Sequence, residues 1–154
     1  MSSFVDSKHK KLSQEEIIKI AAKETGGEYT ADQIKASLVA EAHQLKALML
    51  REGNTIFVVH QDPKQPTAGI FRAINADTVP NYLKNSQMFI KAVGMVGFKM
   101  LISQFKDASL LNIFKYVARN APFKNMGYRA EKSKDGMYTV VVTMGDVPPP
   151  KRGK

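Results

Sequence analysis

The sequence contains no cysteine, which excludes disulfides, thiolate metal sites and a catalytic thiol and suits a reducing cytoplasm. It also has no apolar run of about 18 residues, the length a helix needs to cross a bilayer. The N-terminal "MSSFVDSKHKK" has no apolar stretch of the kind a signal peptide requires. A soluble, cytoplasmic protein with no membrane partner is therefore expected. No self-similarity recurs at a repeat-protein period. There is no Gly-x-Ser-x-Gly elbow, and neither His9 nor His43 has a carboxylate or second histidine at metal-ligand spacing, so serine-hydrolase and metal chemistry are not expected.

Acidic residues are scarce in one region. From Lys84 to Lys134 there are ten Lys/Arg against Asp107 and Glu131, within a chain of net charge +9. A basic face in the C-terminal half follows. Such a face suits an acidic protein, a nucleic acid or a phosphorylated cofactor, and equally a solvated lysine surface.

At 154 residues, 44% of them hydrophobic, the chain has the size and composition of one domain with its own core. Residues 13–146 are expected to form it, between a loose N-terminus (1–12) and a Pro-rich basic tail (147–154), both ends open to partners. Ser13-Gln-Glu-Glu16 has capping-box form and predicts a helix to about Lys23, stopped by "TGGE". Thr30 to Gln33 repeats the form; Ile34, Leu38, Leu45, Leu48 and Met49 then recur at helical spacing and predict a helix running to Gly53.

From Asn54 the period changes. "NTIFVVH" and "TAGIFRAIN" read as an antiparallel pair across "QDPKQP". Pro80 in "DTVPNYLKN" allows a short helix or a loop, and "SQMFIKAV" fits a strand or the start of a helix. Gly94 and Gly97 then punctuate the chain before "FKMLISQFKD", read as helix, and "LLNIFKYVA", read as strand. "MGYRAEK" and "MYTVVVTM" close the chain as a hairpin around "SKDG", where Asp135-Gly136 is a tight-turn signal. The fold class is α/β: a mixed sheet with N-terminal helices, one central crossover helix between parallel strands, and a C-terminal β-hairpin.

This order, with its C-terminal residues, resembles the GNAT superfamily of N-acetyltransferases over residues 54–145, and in particular eroded, bacteriophage-encoded acyltransferase-like proteins, for which "GYRAEKSKDGMYTVVVTMG" is the likeness. The resemblance implies a strand-to-helix loop whose backbone N–H groups hold the pyrophosphate of acetyl-CoA. Matching "VGFKML" in "AVGMVGFKML" to the family's helix start puts Gly97 at the last small position, with Ala92 and Met95 where Arg or Gln and the first Gly are expected. Val93, Gly94, Val96, Gly97 and Lys99, together with Asn120, would then line the cofactor. The family's segment after the fifth strand matches at Asn120 and at Gly127-Tyr128, while Phe123 stands where a proton-donating Tyr is expected. His60, Asp77 and Tyr116 are the general-base candidates, with His60 and Asn120 the catalytic choices.

Three functions remain open at this point: a non-catalytic GNAT-like interaction module, virion-associated if phage-encoded; an acetyl-CoA-dependent N-acetyltransferase; and a nucleic-acid binder using Tyr82, Phe89, Phe98, Tyr116 and Tyr128 for stacking.

Overall fold

A computed structural model of the chain describes residues 11–24 and 26–147. The readings of residues 1–10 and of the 148–154 tail lie outside these. Ser13 and Glu16 form the expected reciprocal cap, with Ser13 N donating to Glu16 Oε1 at 2.9 Å and Glu16 N to Ser13 Oγ at 3.1 Å. Helix α1, Gln14–Glu24, follows. Thr30 and Gln33 make the same pair at the start of α2, Ala31–Gln44. This helix ends well before Gly53, correcting the longer helix predicted: Lys46 has φ +53, and Leu48–Glu52 is strand β1. Leu48 and Met49 fit a helical period, but pairing with β2, Thr55–Asp62, through the glycine turn at Gly53 overrides it.

The six-stranded sheet has the order β1-β2-β3-β4-β6-β5. β3 is Gln65–Asn75, β4 Met100–Phe105, β5 Gly127–Lys132 and β6 Tyr138–Thr143. Every pairing is antiparallel except β3 with β4. That parallel pair is joined by the crossover helix α3, Val79–Val96. The α/β class, crossover helix and C-terminal hairpin agree with the sequence reading.

The middle of the chain corrects it. "FKMLISQFKD" is not the crossover helix but supplies β4, in which Leu101 and Ser103 are buried while Gln104 is exposed. "LLNIFKYVA" is not a strand but forms α4, Leu111–Arg119, entered through a 3₁₀ turn at Ala108–Leu110, so Tyr116 is helical. Phe114 and Val117, three residues apart, are its buried face. The crossover helix lies earlier, at 79–96. Pro80 sits in its first turn, where a missing N–H breaks no helical bond and the fixed φ favours the helix. Ser86, Phe89, Ile90, Val93 and Gly94 then repeat at helical spacing on its buried face.

Each face of the sheet carries a helical layer. Ile56, Val58 and Ile74 pack against Ile17, Ile18, Ile34 and Leu38 of α1 and α2. On the other face Phe57, Val59, Phe71 and Leu101 pack with Phe89, Ile90 and Val93 of α3 and Phe114 and Val117 of α4. Phe57 and Phe89 stack at 4.3 Å between centroids.

Candidate functional site

The β3–β4 ladder holds for only three residue pairs, ending at Ile70↔Ile102. Beyond it β3 stays paired with β2 up to Asn75, and β4 with β6 up to Phe105. Among the described residues, the two strand edges that face each other past Ile70 and Ile102 therefore have no strand partner. Phe71, Arg72 and Ala73 on one side and Ser103, Gln104 and Phe105 on the other line a cavity of about 190 Å³. Successive strand residues project to opposite faces, so a cavity touching three in a row on each strand lies in the gap between the edges. Tyr82, Ser86 and Phe89 of α3 and Phe114 and Val117 of α4 close it on one side.

Its chemistry is mostly apolar. Burial pushes the Tyr82 phenol up to about 12, which keeps it a neutral hydrogen-bond donor at ordinary pH. Arg72 is committed to the α2 side, where Nη2 meets Glu41 Oε2 and Ser37 Oγ, both at 2.8 Å. Among the described residues lining the cavity there is no carboxylate, histidine or lysine. None of them can take a proton near neutral pH.

At the end of β3 the chain turns directly into α3, the crossover helix that joins the parallel pair. Here Asn75, Asp77 and Asn85 meet the β1–β2 turn. Asp77 Oδ2 accepts from Asn54 N at 2.8 Å and from Asn85 Nδ2 at 2.7 Å. Asn85 Nδ2 also donates to Thr55 Oγ1 at 3.0 Å, and Thr55 Oγ1 donates to Asn75 Oδ1 at 2.7 Å. Arg51 joins from the far side, Nη2 donating to Asn54 Oδ1 at 2.9 Å and Nε to Gly53 O at 2.9 Å. Gly53 fits here because its φ is +56 and an added Cβ would lie 2.8 Å from both Asn85 and Asp77.

A pyrophosphate fits this turn poorly. Residues 75–80 contain no glycine to let the backbone approach, Pro80 has no N–H, and the Asp77 carboxylate stands beside the helix N-terminus that would attract an anion. Lys11, Arg51 and Asn81 line the pocket of about 480 Å³ beside the turn, but the turn's backbone does not offer the glycine cradle that the diphosphate of coenzyme A would need.

The residues singled out from sequence lie elsewhere. Val93, Gly94, Val96 and Gly97 belong to the C-terminal end of α3, not to a helix start, which corrects the placement of "VGFKML". A helix C-terminus presents carbonyl groups and the negative end of the dipole. Gly97 is the C-cap, with φ +127 and open space around it. Gly94 is buried under Phe123: an added Cβ would lie 2.7 Å from Phe123 Cε2. Phe123 is thus a core residue that fills the space glycine leaves.

His60, Val96 and Gly97 do come together, with Leu45, Leu48 and Phe98, in an open groove of about 770 Å³ at the far end of the sheet from the strand gap. His60 Nδ1 lies 3.1 Å from Gln61 O. Lys99 is exposed, its N–H donating to Thr67 O at 2.8 Å. Asn120 caps α4, Nδ2 donating to Tyr116 O at 3.0 Å, and its carbonyl accepts from Gln87 Nε2. Asp77, a base candidate from sequence, is a structural acceptor that clamps Asn54 N and Asn85 Nδ2 together. Phe89 and Phe98 are buried, and Tyr82, Tyr116 and Tyr128 pack against the core. The cavity between β3 and β4 was not seen in the sequence; no residue pattern marks where a parallel ladder ends.

Comparison with solved structures finds the acetyltransferase of the GNAT family from Streptococcus pneumoniae, at 11% identity, covering 74% of this chain and 77% of that one with a TM-score of 0.41. No family model and no curated protein matches the chain.

Proposed function

We propose that this chain is a GNAT-like domain used as a protein-interaction module and not as an ordinary acetyl-CoA-dependent acetyltransferase. The observation that carries the reading is the Asp77 clamp. The turn that would cradle a pyrophosphate holds a carboxylate, and that carboxylate is engaged in fixing the β1–β2 turn to α3. Two further features support it: the absence of a proton acceptor among the described residues lining the strand gap, and the burial of Phe123 where the resemblance implies a Tyr acid. Titration of the protein with acetyl-CoA in a calorimeter tests this, with no saturable heat expected.

A second reading, acetyl-CoA-dependent N-acetyl transfer, is favoured by the gap itself. Two unpaired strand edges offer backbone donors and acceptors to an extended amide-bearing arm, beside the neutral Tyr82 phenol. It requires saturable acetyl-CoA binding that weakens when the gap is filled, for example by Ser103→Phe.

A further inference from the structure

The closing hairpin leaves one edge of the sheet open. β5 pairs with β6 from Gly127↔Thr143 to Lys132↔Tyr138, and among the described residues no strand pairs with its other side. The direction of its backbone groups follows from two hydrogen bonds. Ser133 N donates to Met137 O across the turn, so the odd-numbered residues of β5 face β6. Met144 N donates to Lys99 O on the opposite side, so even-numbered residues of β6 face β4 and odd-numbered ones face β5. Both give the same parity. Tyr128, Ala130 and Lys132 therefore turn their N–H and C=O groups outward.

This edge is flanked by cations. Arg129, Lys132 and Lys134 are exposed on the hairpin and Lys124 just before it, with Lys115 and Arg119 exposed on α4, which packs against β5. The nearby acids are engaged: Glu131 lies 3.8 Å from Arg129 Nε, and the Asp135 carboxylate accepts from Ser133 Oγ and from Met137 N. Lysines on an open edge discourage pairing with a neutral strand or with another copy of a basic chain. They do not discourage a strand that carries carboxylates.

We propose that the outer edge of β5 docks an extended acidic segment of a partner protein, which adds to the sheet by main-chain hydrogen bonds to Tyr128, Ala130 and Lys132. Main-chain pairing supplies the affinity and the flanking cations select the charge. The site is separate from the strand gap, so it stands or falls independently of acetyl-CoA binding.

The test uses a blocked, labelled peptide alternating glutamate and threonine, with the same peptide carrying lysine for glutamate as control, read by fluorescence anisotropy against the full chain. The glutamate peptide binds and the lysine peptide does not, and added salt weakens binding. Ala130→Pro removes one outward N–H and leaves the bonds to β6 intact, and weakens binding about tenfold. Lys132→Glu with Lys134→Glu, both at exposed positions, abolishes it without altering circular dichroism, which keeps the test decisive if the proline variant fails to fold. No binding of the glutamate peptide, equal binding of the lysine peptide, or binding unaffected by the charge reversal overturns the proposal. So does retention of a single-stranded oligonucleotide without peptide binding, which assigns the basic face to phosphate.

Discussion

Asp77 Oδ2 lies 2.7 Å from Asn85 Nδ2, a contact that joins the turn before α3 to the second turn of the same helix. Because the same oxygen also accepts from Asn54 N, one carboxylate ties β3, α3 and the β1–β2 turn together. Asp77→Ala leaves the Asn54 N–H and the Asn85 amide short of a partner, and is expected to cost about 2–4 kcal/mol by urea denaturation. Asp77→Asn, which retains an acceptor oxygen, is expected to cost less.

Gly53→Ala attacks the clamp from the other side. The added methyl would meet Asn85 and Asp77 at 2.8 Å on a backbone at φ +56, and a loss of about 2 kcal/mol or more is expected from strain and contact together. Gly26→Ala, at a similar φ of +68 but in open space, is the control for strain alone and should lose about 1 kcal/mol. Equal losses at the two positions would contradict the clamp.

Gly94 and Phe123 should behave as a coupled pair. Gly94→Ala drives a methyl into the Phe123 ring and is expected to cost about 1–3 kcal/mol. Combining it with Phe123→Leu should recover part of that loss, a coupling measurable in a double-mutant cycle. Additive losses would show that the ring is not what requires glycine.

Tyr82 titrates late. Burial raises its phenol from 10.0 to about 12, so the folded state holds this proton more tightly than the unfolded state does. The associated stability is fully present below pH 10 and is lost as pH rises from 10 toward about 12. Burial raises the Tyr128 phenol as well, so ultraviolet titration should show a late step toward about pH 12 from Tyr82, and Tyr82→Phe should remove that last step and its part of the alkaline destabilisation. A Tyr82→Phe protein with an unchanged alkaline profile would refute the assignment.

Asp135 acts at the other end of the pH scale. Hydrogen bonds from Ser133 and Met137 hold its carboxyl below the usual value, so its contribution is present above pH 3.8 and is lost as pH falls through the lowered value. Asp135→Asn should flatten the acid limb of the stability profile below pH 3.8.

Local chemistry was legible in the sequence wherever one residue's side chain decides the backbone. Ser13 with Glu16, Thr30 with Gln33, and Asp135-Gly136 each announced a cap or a turn that the structure contains. The β2–β3 pair was legible from its β-branched and aromatic runs. The region from Val79 to Arg119 was not, because Pro80 breaks a helix interior but favours a first turn, and the difference depends on where the helix starts. With that start ambiguous, the apolar runs at 98–107 and 110–118 exchange states in the sequence reading, since short apolar segments carry no decisive period. Gly94 and Gly97 then looked like a phosphate loop, although one makes room for Phe123 and the other ends a helix. The clamp and the strand gap depend on contacts between distant segments, such as Asn54 with Asp77 and the end of the ladder at Ile70↔Ile102.

Calorimetric titration of the full chain with acetyl-CoA is the most direct test of the central claim that the Asp77 turn does not hold a pyrophosphate. The account predicts no saturable heat. Saturable binding that is lost when the diphosphate is removed, with S-acetylpantetheine as the comparison ligand, would contradict it.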